Sequence, residues 1–438
     1  MRARNAERLA VAEATAASEV ADFWVDLFKV SDPREARGNT ITAREILDEG
    51  SKNIRTELAE QPITQARLMQ SIGNVYRNLG LYEQAAPLLE EAVALRQEAL
   101  GPDHPDLAES LNDLADVDYY AANYARADSL YLRALTIREQ ALGPDHPDVA
   151  STLSDFGALK SEQGQYPEAE AFLRRAVAIF EAASDRDDSE LAGSLSNLAS
   201  VFWERREFAE AEPLYERALG IQERALGQDH PDVAMIQADL ASVLYPQGKY
   251  ADAESLYQRS VATFERVVGP DHPYVAEALN GLADAMYAQG KYADAESLLQ
   301  RALGIWEKAL GSDHPDVAVS LNNLANIYFQ QRKFADAELL HHRALRILET
   351  ALGPDHPDVA VSLINLGAAY LGQGKYANTD SVLQRALTIQ QQVHGPESPQ
   401  VVETLEKLAL VRRQLGRGEE ADSLEARAQA IRDAADSE

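Results

Sequence analysis

The chain repeats itself every 42 residues, and that period leaves little freedom for the fold. The tripeptide Asp-His-Pro places histidine at 104, 146, 230, 272, 314 and 356, with separations of 42, 84, 42, 42 and 42. The copy missing from the series falls at 188, in the degenerate run Asp185-Arg186-Asp187-Asp188. A second marker runs in phase at 80, 122, 164, 206, 248, 290, 332, 374 and 416, and glycine occupies six of these nine places. Two residues later comes an aromatic ring: Tyr82, Tyr124, Tyr166, Phe208, Tyr250, Tyr292, Phe334 and Tyr376, with Gly418 ending the series. Nine units therefore run from 63 to 434. A fixed period of this length marks an array in which each unit buries its apolar face only against its neighbours.

Each unit reads as two helices. Between 315 and 352, Leu321, Leu324, Ala325 and Tyr328 share one face at helical spacing. Arg332-Lys333-Phe334 marks a turn, and Ala337, Leu340, Ala344, Leu345 and Leu348 form a second face. Gly353 is expected to end that helix as a left-handed cap. Asp355-His356-Pro357-Asp358 then opens the next helix, with proline in the first turn and acids beside unpaired N–H groups. Alanine recurs at 85, 127, 169, 211, 253, 295 and 337, and again at 92, 134, 176, 218, 302, 344 and 386. Those are the places where two helices must approach closely, and Ser260 and Thr379 are mild exceptions. Strand-like alternation competes nowhere, so the expected fold class is all-α.

This pattern resembles the tetratricopeptide repeat. Leu-Gly-Pro-Asp-His-Pro-Asp-Val-Ala between units and Leu321-Asn322-Asn323-Leu324-Ala325 within them look like the 42-residue kinesin-light-chain subtype. The resemblance covers 372 of 438 residues. It implies a right-handed superhelical solenoid of about nine helix-turn-helix repeats, with the first helix of each pair lining a concave groove.

The ends depart from the pattern. Residues 1–62 are expected to form an N-terminal helical cap or linker, 63–434 the array, and 435–438 a tail. Val20, Phe23, Trp24, Leu27 and Phe28 make an apolar stripe on an expected helix at about 6–30, a surface for capping the first repeat or for self-association. Thr42-Ala43-Arg44-Glu45 reads as a capping box that starts a helix to about 60. Phe28 to Pro33, Ala36 to Asn39 and the Ala-Arg-Glu-Ile-Leu run at 43–47 also resemble the segment that precedes the repeats in bacterial serine/threonine kinases with tetratricopeptide tails. That resemblance implies a second role, a regulatory or sensor tail in kinase signalling. At the other end Arg412, Arg413 and Glu425 replace apolar residues, as a polar C-terminal cap requires.

Composition narrows the function. Lys and Arg number 41 against 71 Asp and Glu, a net of −30, which argues against binding nucleic acid or an anionic membrane. The eight inter-unit loops hold 16 of the acids and one base, so half of that charge belongs to helix starts. Absence of cysteine excludes disulfides, thiolate metal sites and cysteine nucleophiles. No apolar run is long enough to span a membrane, and the N-terminus lacks the features of a signal peptide. The expected location is cytoplasmic, or periplasmic should the chain be part of a membrane kinase.

No catalytic, cofactor or metal site is expected. Helices pack about 8–10 Å apart, whereas zinc holds its nitrogens near 2 Å, so the in-phase histidines read as loop caps. His341 and His342 are adjacent and diverge on one helix. Gly372-Gln373-Gly374-Lys375-Tyr376 lacks the spacing and the hydroxyl of a phosphate loop.

On the first helices a stripe is left free beside the buried one. In the unit at 315–352 it comprises Val319, Asn322, Asn323, Asn326, Phe329 and Gln330. Across the seven internal units it carries amides and acids at Asn112, Asp113, Asp155, Asn197, Asp239, Asn280, Asn322, Asn323 and Asn365. Aromatic rings follow at Tyr119, Trp203, Tyr245, Tyr287 and Phe329. Asparagine can grip a peptide N–H and C=O together, and rings add rigid contact area. Packing between first helices and inter-repeat hydrogen bonding are the other roles open to these side chains. The six stripe positions hold Glu109, Asp113, Asp116, Asp155, Glu162, Glu204, Asp239, Glu277 and Asp284, without Lys or Arg. The expected partner is a protein or peptide segment with basic and apolar residues. Kinesin-light-chain grooves accept tryptophan-acidic peptides, a preference these acids do not match.

Overall fold

A computed structural model describes residues 43–183 and 189–435, and every regular element among them is helical. They fall into two compact units, divided between Ile221 and Gln222. In the first unit α1 (Ala43–Glu57) precedes α2 (Pro62–Asn78), α3 (Tyr82–Leu100), α4 (Pro105–Tyr120), α5 (Tyr124–Leu142), α6 (Pro147–Glu162), α7 (Tyr166–Ala183) and α8 (Ser189–Glu204). Helix α9 (Phe208–Leu226) contains the boundary. The second unit holds α10 (Pro231–Leu244), α11 (Tyr250–Val267), α12 (Pro273–Ala288), α13 (Tyr292–Leu310), α14 (Pro315–Gln330), α15 (Phe334–Leu352), α16 (Pro357–Gly372), α17 (Tyr376–His394), α18 (Val402–Gln414) and α19 (Gly418–Ala435). Even-numbered helices are the first of each pair, termed A, and from α3 the odd-numbered ones are the second, termed B.

The Asp-His-Pro signature works as a helix start. Each of its six histidines is an N-cap in extended conformation, followed by proline at the first helical position. The ring Nδ1 accepts the backbone N–H two residues on, at 3.1–3.3 Å, as from Asp106, Tyr274 and Asp358. One of the orphan donors of each helix start is thereby satisfied, a task usually given to Ser, Asp or Asn. The degenerate loop at 185–188 lies outside the described residues.

Glycine ends the B helices, though not in the conformation expected of it. Gly353 has φ 93° and ψ 157°, and Gly101, Gly143, Gly311 and Gly395 are alike. That is the extended positive-φ region, closed to side chains by sterics, rather than the left-handed helical cap. The hairpin turns do use the left-handed region, as at Gly248 with φ 77° and ψ 7°. The demand is general enough that Ala122, Arg206 and Arg332 adopt φ of 59°, 60° and 61° where other copies have glycine.

Close approach of A and B helices follows from the alanine series. Ala85, Ala127, Ala169 and Ala211 in the first unit are buried, as are Ala253, Ala295 and Ala337 in the second. Ser260 and Thr379, the exceptions in the sequence, are equally buried. Gly281 shows how tight the second unit becomes. A Cβ there would lie 2.3 Å from the ring of Tyr257, so the amide or acid found in most other copies is excluded.

At the ends, Leu47 and Ile54 of α1 are buried in the cluster that includes Met69 and Leu89, and the Tyr76 hydroxyl donates to Asp48 at 2.5 Å. The stripe at 20–28, the resemblance at 28–42 and the side chains of the capping box lie outside what is described. In α18 and α19, Arg412 pairs with Asp380 at 2.9 Å and Arg413 with Asp422 and Glu425 at 2.7 and 2.8 Å.

Candidate binding stripe on the A helices

Because α4, α6, α10, α12, α14 and α16 start from the same histidine cap and the period is constant, the stripe keeps its register from pair to pair. Stripe residues of consecutive A helices meet across a spacing of 39 or 43 residues. The chemistry differs between the two units.

In the first unit most of the predicted residues are engaged by other side chains of the chain. Asn112 Nδ2 donates to Asp155 at 2.9 Å. Asp113 accepts from Gln70 at 2.5 Å and from Asn74 at 2.9 Å. Asn197 donates to the Ser154 hydroxyl at 3.3 Å. Tyr119 packs edge-on against Tyr120, ring centroids 5.0 Å apart, while Trp203 is 40% exposed at the end of α8.

Part of the acid in this unit is answered from within: Glu109, Asp113 and Asp116 each have an arginine within 4 Å. The first A helix, α2, carries Arg67, Gln70, Ser71, Asn74 and Arg77 in the stripe register. The sequence reading began at the next pair and missed them, although the 42-residue phase alone locates them. Arg77 donates to Asp116 and lies 3.7 Å from Asp113. Asp116 also accepts from the Tyr131 hydroxyl at 2.6 Å. Burial, together with the charge of Asp155, still holds Asp116 well above the usual carboxylate range, with Arg77 and Tyr131 acting against it. Burial pushes Asp155 up to about 6, opposed by the Asn112 hydrogen bond. Glu162 and Glu204, also on the stripe, are exposed and have no ion-pair partner among the described residues.

In the second unit the amides divide. Asn280 exchanges hydrogen bonds with Ser320 at 2.9 and 3.1 Å. Asn322 Oδ1 lies 2.9 Å from Nδ1 of the buried His341, and burial lowers that imidazole to about 4. A neutral His341 then donates from Nδ1 to the amide oxygen. His342 instead reaches the Tyr370 hydroxyl at 2.8 Å, so the two histidines do diverge. Asn323 donates to Asp284 at 3.4 Å. Asn326 and Asn365 have no hydrogen-bond partner among the described residues.

Acids here lack cations. Asp239, Glu277 and Asp284 have no ion-pair partner among the described residues. Burial pushes Asp239 up to about 7, with Glu277 adding to it, and burial alone takes Asp284 to about 7. Rings flank them: Tyr245 and Tyr250 have centroids 5.4 Å apart, Tyr287 and Tyr292 5.5 Å, Phe329 and Phe334 5.3 Å. The predicted aromatics thus pack against the aromatic that opens the following B helix and remain half-buried. The Tyr287 hydroxyl accepts from Gln330 at 2.9 Å. Tyr245, Asp284, Tyr287, Asn323 and Asn326 together line a cavity of about 190 Å³.

Among the described residues no cluster of His, Asp or Glu could hold a metal ion, and no helix is long and apolar enough to cross a membrane. The sequence pattern of the family described as Tetratricopeptide repeat matches residues 64–140, 122–182, 190–262, 232–308, 274–350, 334–378 and 359–434. Nephrocystin-3 of Xenopus laevis is 34% identical over 82 residues, 19% of this chain and 6% of that protein, so only a small part of that relative is spanned. Among solved structures, the apo form of the quorum sensor NprR from B. thuringiensis superposes with a TM-score of 0.59 at 11% identity, covering 86% of this chain and 99% of that one. A Rap protein complexed with Competence and Sporulation Factor gives 0.56 at 15% identity, covering 84% and 98%. Those two likenesses concern the fold.

Proposed function

Because this chain belongs to the tetratricopeptide repeat family, in its 42-residue kinesin-light-chain-like form, we propose that it is a non-enzymatic protein-interaction scaffold that takes a basic, apolar peptide segment along the A-helix stripe. The observation that carries the reading is the set of three stripe acids, Asp239, Glu277 and Asp284, with no ion-pair partner among the described residues. Lys or Arg on a ligand supplies the missing charge and is steered in by it. Exposed apolar side chains support the other half of the preference. Met235, Val319 and Val361 hold one stripe position in three A helices of the second unit and are 42%, 50% and 55% exposed. Apolar surface exposed at one position of three A helices, with Glu277 at that position in α12, marks a contact surface of mixed apolar and acidic character. Asn326 and Asn365 remain to grip the peptide backbone, since an amide donates and accepts at once. The other amides of that series make the contacts within and between repeats described above.

The test is panning of a random peptide library, displayed on phage, against the full chain. Enrichment of Lys and Arg interleaved with aliphatic or aromatic residues is expected, with recovery falling as salt is raised. Enrichment of acidic peptides overturns the proposed preference.

A further inference from the structure

One repeat position is occupied by a half-buried aspartate in both units, with opposite surroundings. Asp116 and Asp284 stand four periods apart at the same place on their A helices. At Asp116 the chain provides both donors: Arg77, 39 residues earlier, donates to Oδ2, and Tyr131, 15 residues later, donates its hydroxyl to Oδ1. At Asp284 the residues 39 earlier and 15 later are Tyr245 and Leu299. Neither bonds to the carboxyl, and both line the cavity of about 190 Å³ in front of it. Its one hydrogen bond among the described residues is the long one from Asn323 at 3.4 Å.

We infer that this cavity is a seat for a guanidinium group carried by a ligand, which takes at Asp284 the place that Arg77 takes at Asp116. The inference rests on the peptide reading above and names one residue of the ligand, an arginine. Chemistry of the lining fits. Tyr245 and Tyr287 line the cavity, and an aromatic ring attracts a cation, a planar guanidinium stacking on it better than an ammonium does. Leu299 and Ile327 suit the methylenes of the arginine stem. The carboxylate can take two parallel N–H bonds, and the Asn326 side-chain oxygen is free to accept another. Groups facing Asp284 from its neighbours are Tyr245, Tyr257 of α11, Tyr287 of its own helix, Leu299 of α13, and Asn323 and Asn326 of α14. None is charged at neutral pH. A dry carboxyl without a cation holds its proton to about 7, so seating a cation releases that proton and binding strengthens as pH rises through 7.

The probe is N-acetyl-argininamide, titrated into the full chain by NMR, with the neutral isostere N-acetyl-citrullinamide as control. At pH 8 the arginine compound is expected to bind about tenfold or more tightly than the citrulline compound. That margin should shrink below pH 6 and vanish in Asp284→Asn. Tyr245→Arg should also abolish it, because the chain then fills its own seat. Equal binding of the two compounds, or a margin that survives Asp284→Asn, overturns the inference. Should panned peptides bind while argininamide shows no margin, the seat falls and the peptide reading stands. If argininamide binds at Asp284 while panning enriches nothing, the peptide reading falls and the seat stands.

Discussion

Changing Arg77 to Met is expected to destabilise the first unit by about 3 kcal/mol at pH 8, the lower end of what breaking a buried ion pair costs. Arg77 and Asp116 side chains are each only 19% exposed, and Asp113 and Asp155 stand close by. Removing the guanidinium leaves three carboxyl groups with amide and hydroxyl donors only. The loss should depend on pH, and its sign is fixed. Burial and Asp155 already hold Asp116 above the ordinary range, and without Arg77 it moves further up. A carboxyl whose folded pKa is raised binds its proton more tightly folded than unfolded. Stability is therefore lost as pH rises from about 4, where the unfolded group titrates, through the folded value. The deficit of the variant should be small at pH 5 and full at pH 8. Hydrogen exchange of 105–142 at the two pH values measures it region by region, which suits an array whose repeats need not unfold together. An equal deficit at both values would show that Arg77 acts through packing of its stem alone.

Gln237→Leu carries the second large effect, with the opposite sign. Leucine holds this place at 111, 153, 195, 279, 321, 363 and 405. Gln237 is 1% exposed, and neither its Nε2 nor its Oε1 has a hydrogen-bond partner. A buried amide without partners costs about 1–3 kcal/mol, and an apolar group of similar shape removes that cost. The substitution should raise the urea midpoint of the second unit with the slope unchanged. A lower midpoint would mean that the amide is satisfied in solution, by bound water at the neighbouring cavity formed with Arg259 and Thr263.

The period made the fold legible, and each part of the hairpin could be assigned by its phase. Histidine at 104 and its five counterparts had to do something local at each helix start, and they cap. The alanine series marked the helix contacts correctly because close approach tolerates only small side chains. Phase alone could not say which stripe side chains are free. Asn112 and Asn322 look equivalent in the sequence, yet the first is spent on Asp155 and the second on His341. That depends on residues 19 and 43 positions away, on other helices. Phase alone also could not say which stripe acids meet a cation: Arg77 and its amide neighbours on α2 answer Asp113 and Asp116. Among the described residues Asp239, Glu277 and Asp284 have no ion-pair partner, and nor do the exposed Glu162 and Glu204. Gly353 was read as a left-handed cap because glycine allows several positive-φ conformations, and only the backbone shows which one is used.

The central claim is that ligands lie along the A-helix stripe of the second unit. Photocrosslinking tests it most directly, using the most enriched library peptide with a benzophenone at its centre and the full chain as target. Crosslinks are predicted on α10, α12 and α14, at Tyr245, Tyr287, Asn326 and Phe329 or their immediate neighbours. They should be lost when unlabelled peptide competes. Crosslinks confined to the B helices, as around the exposed Leu339 on α15, would contradict the account.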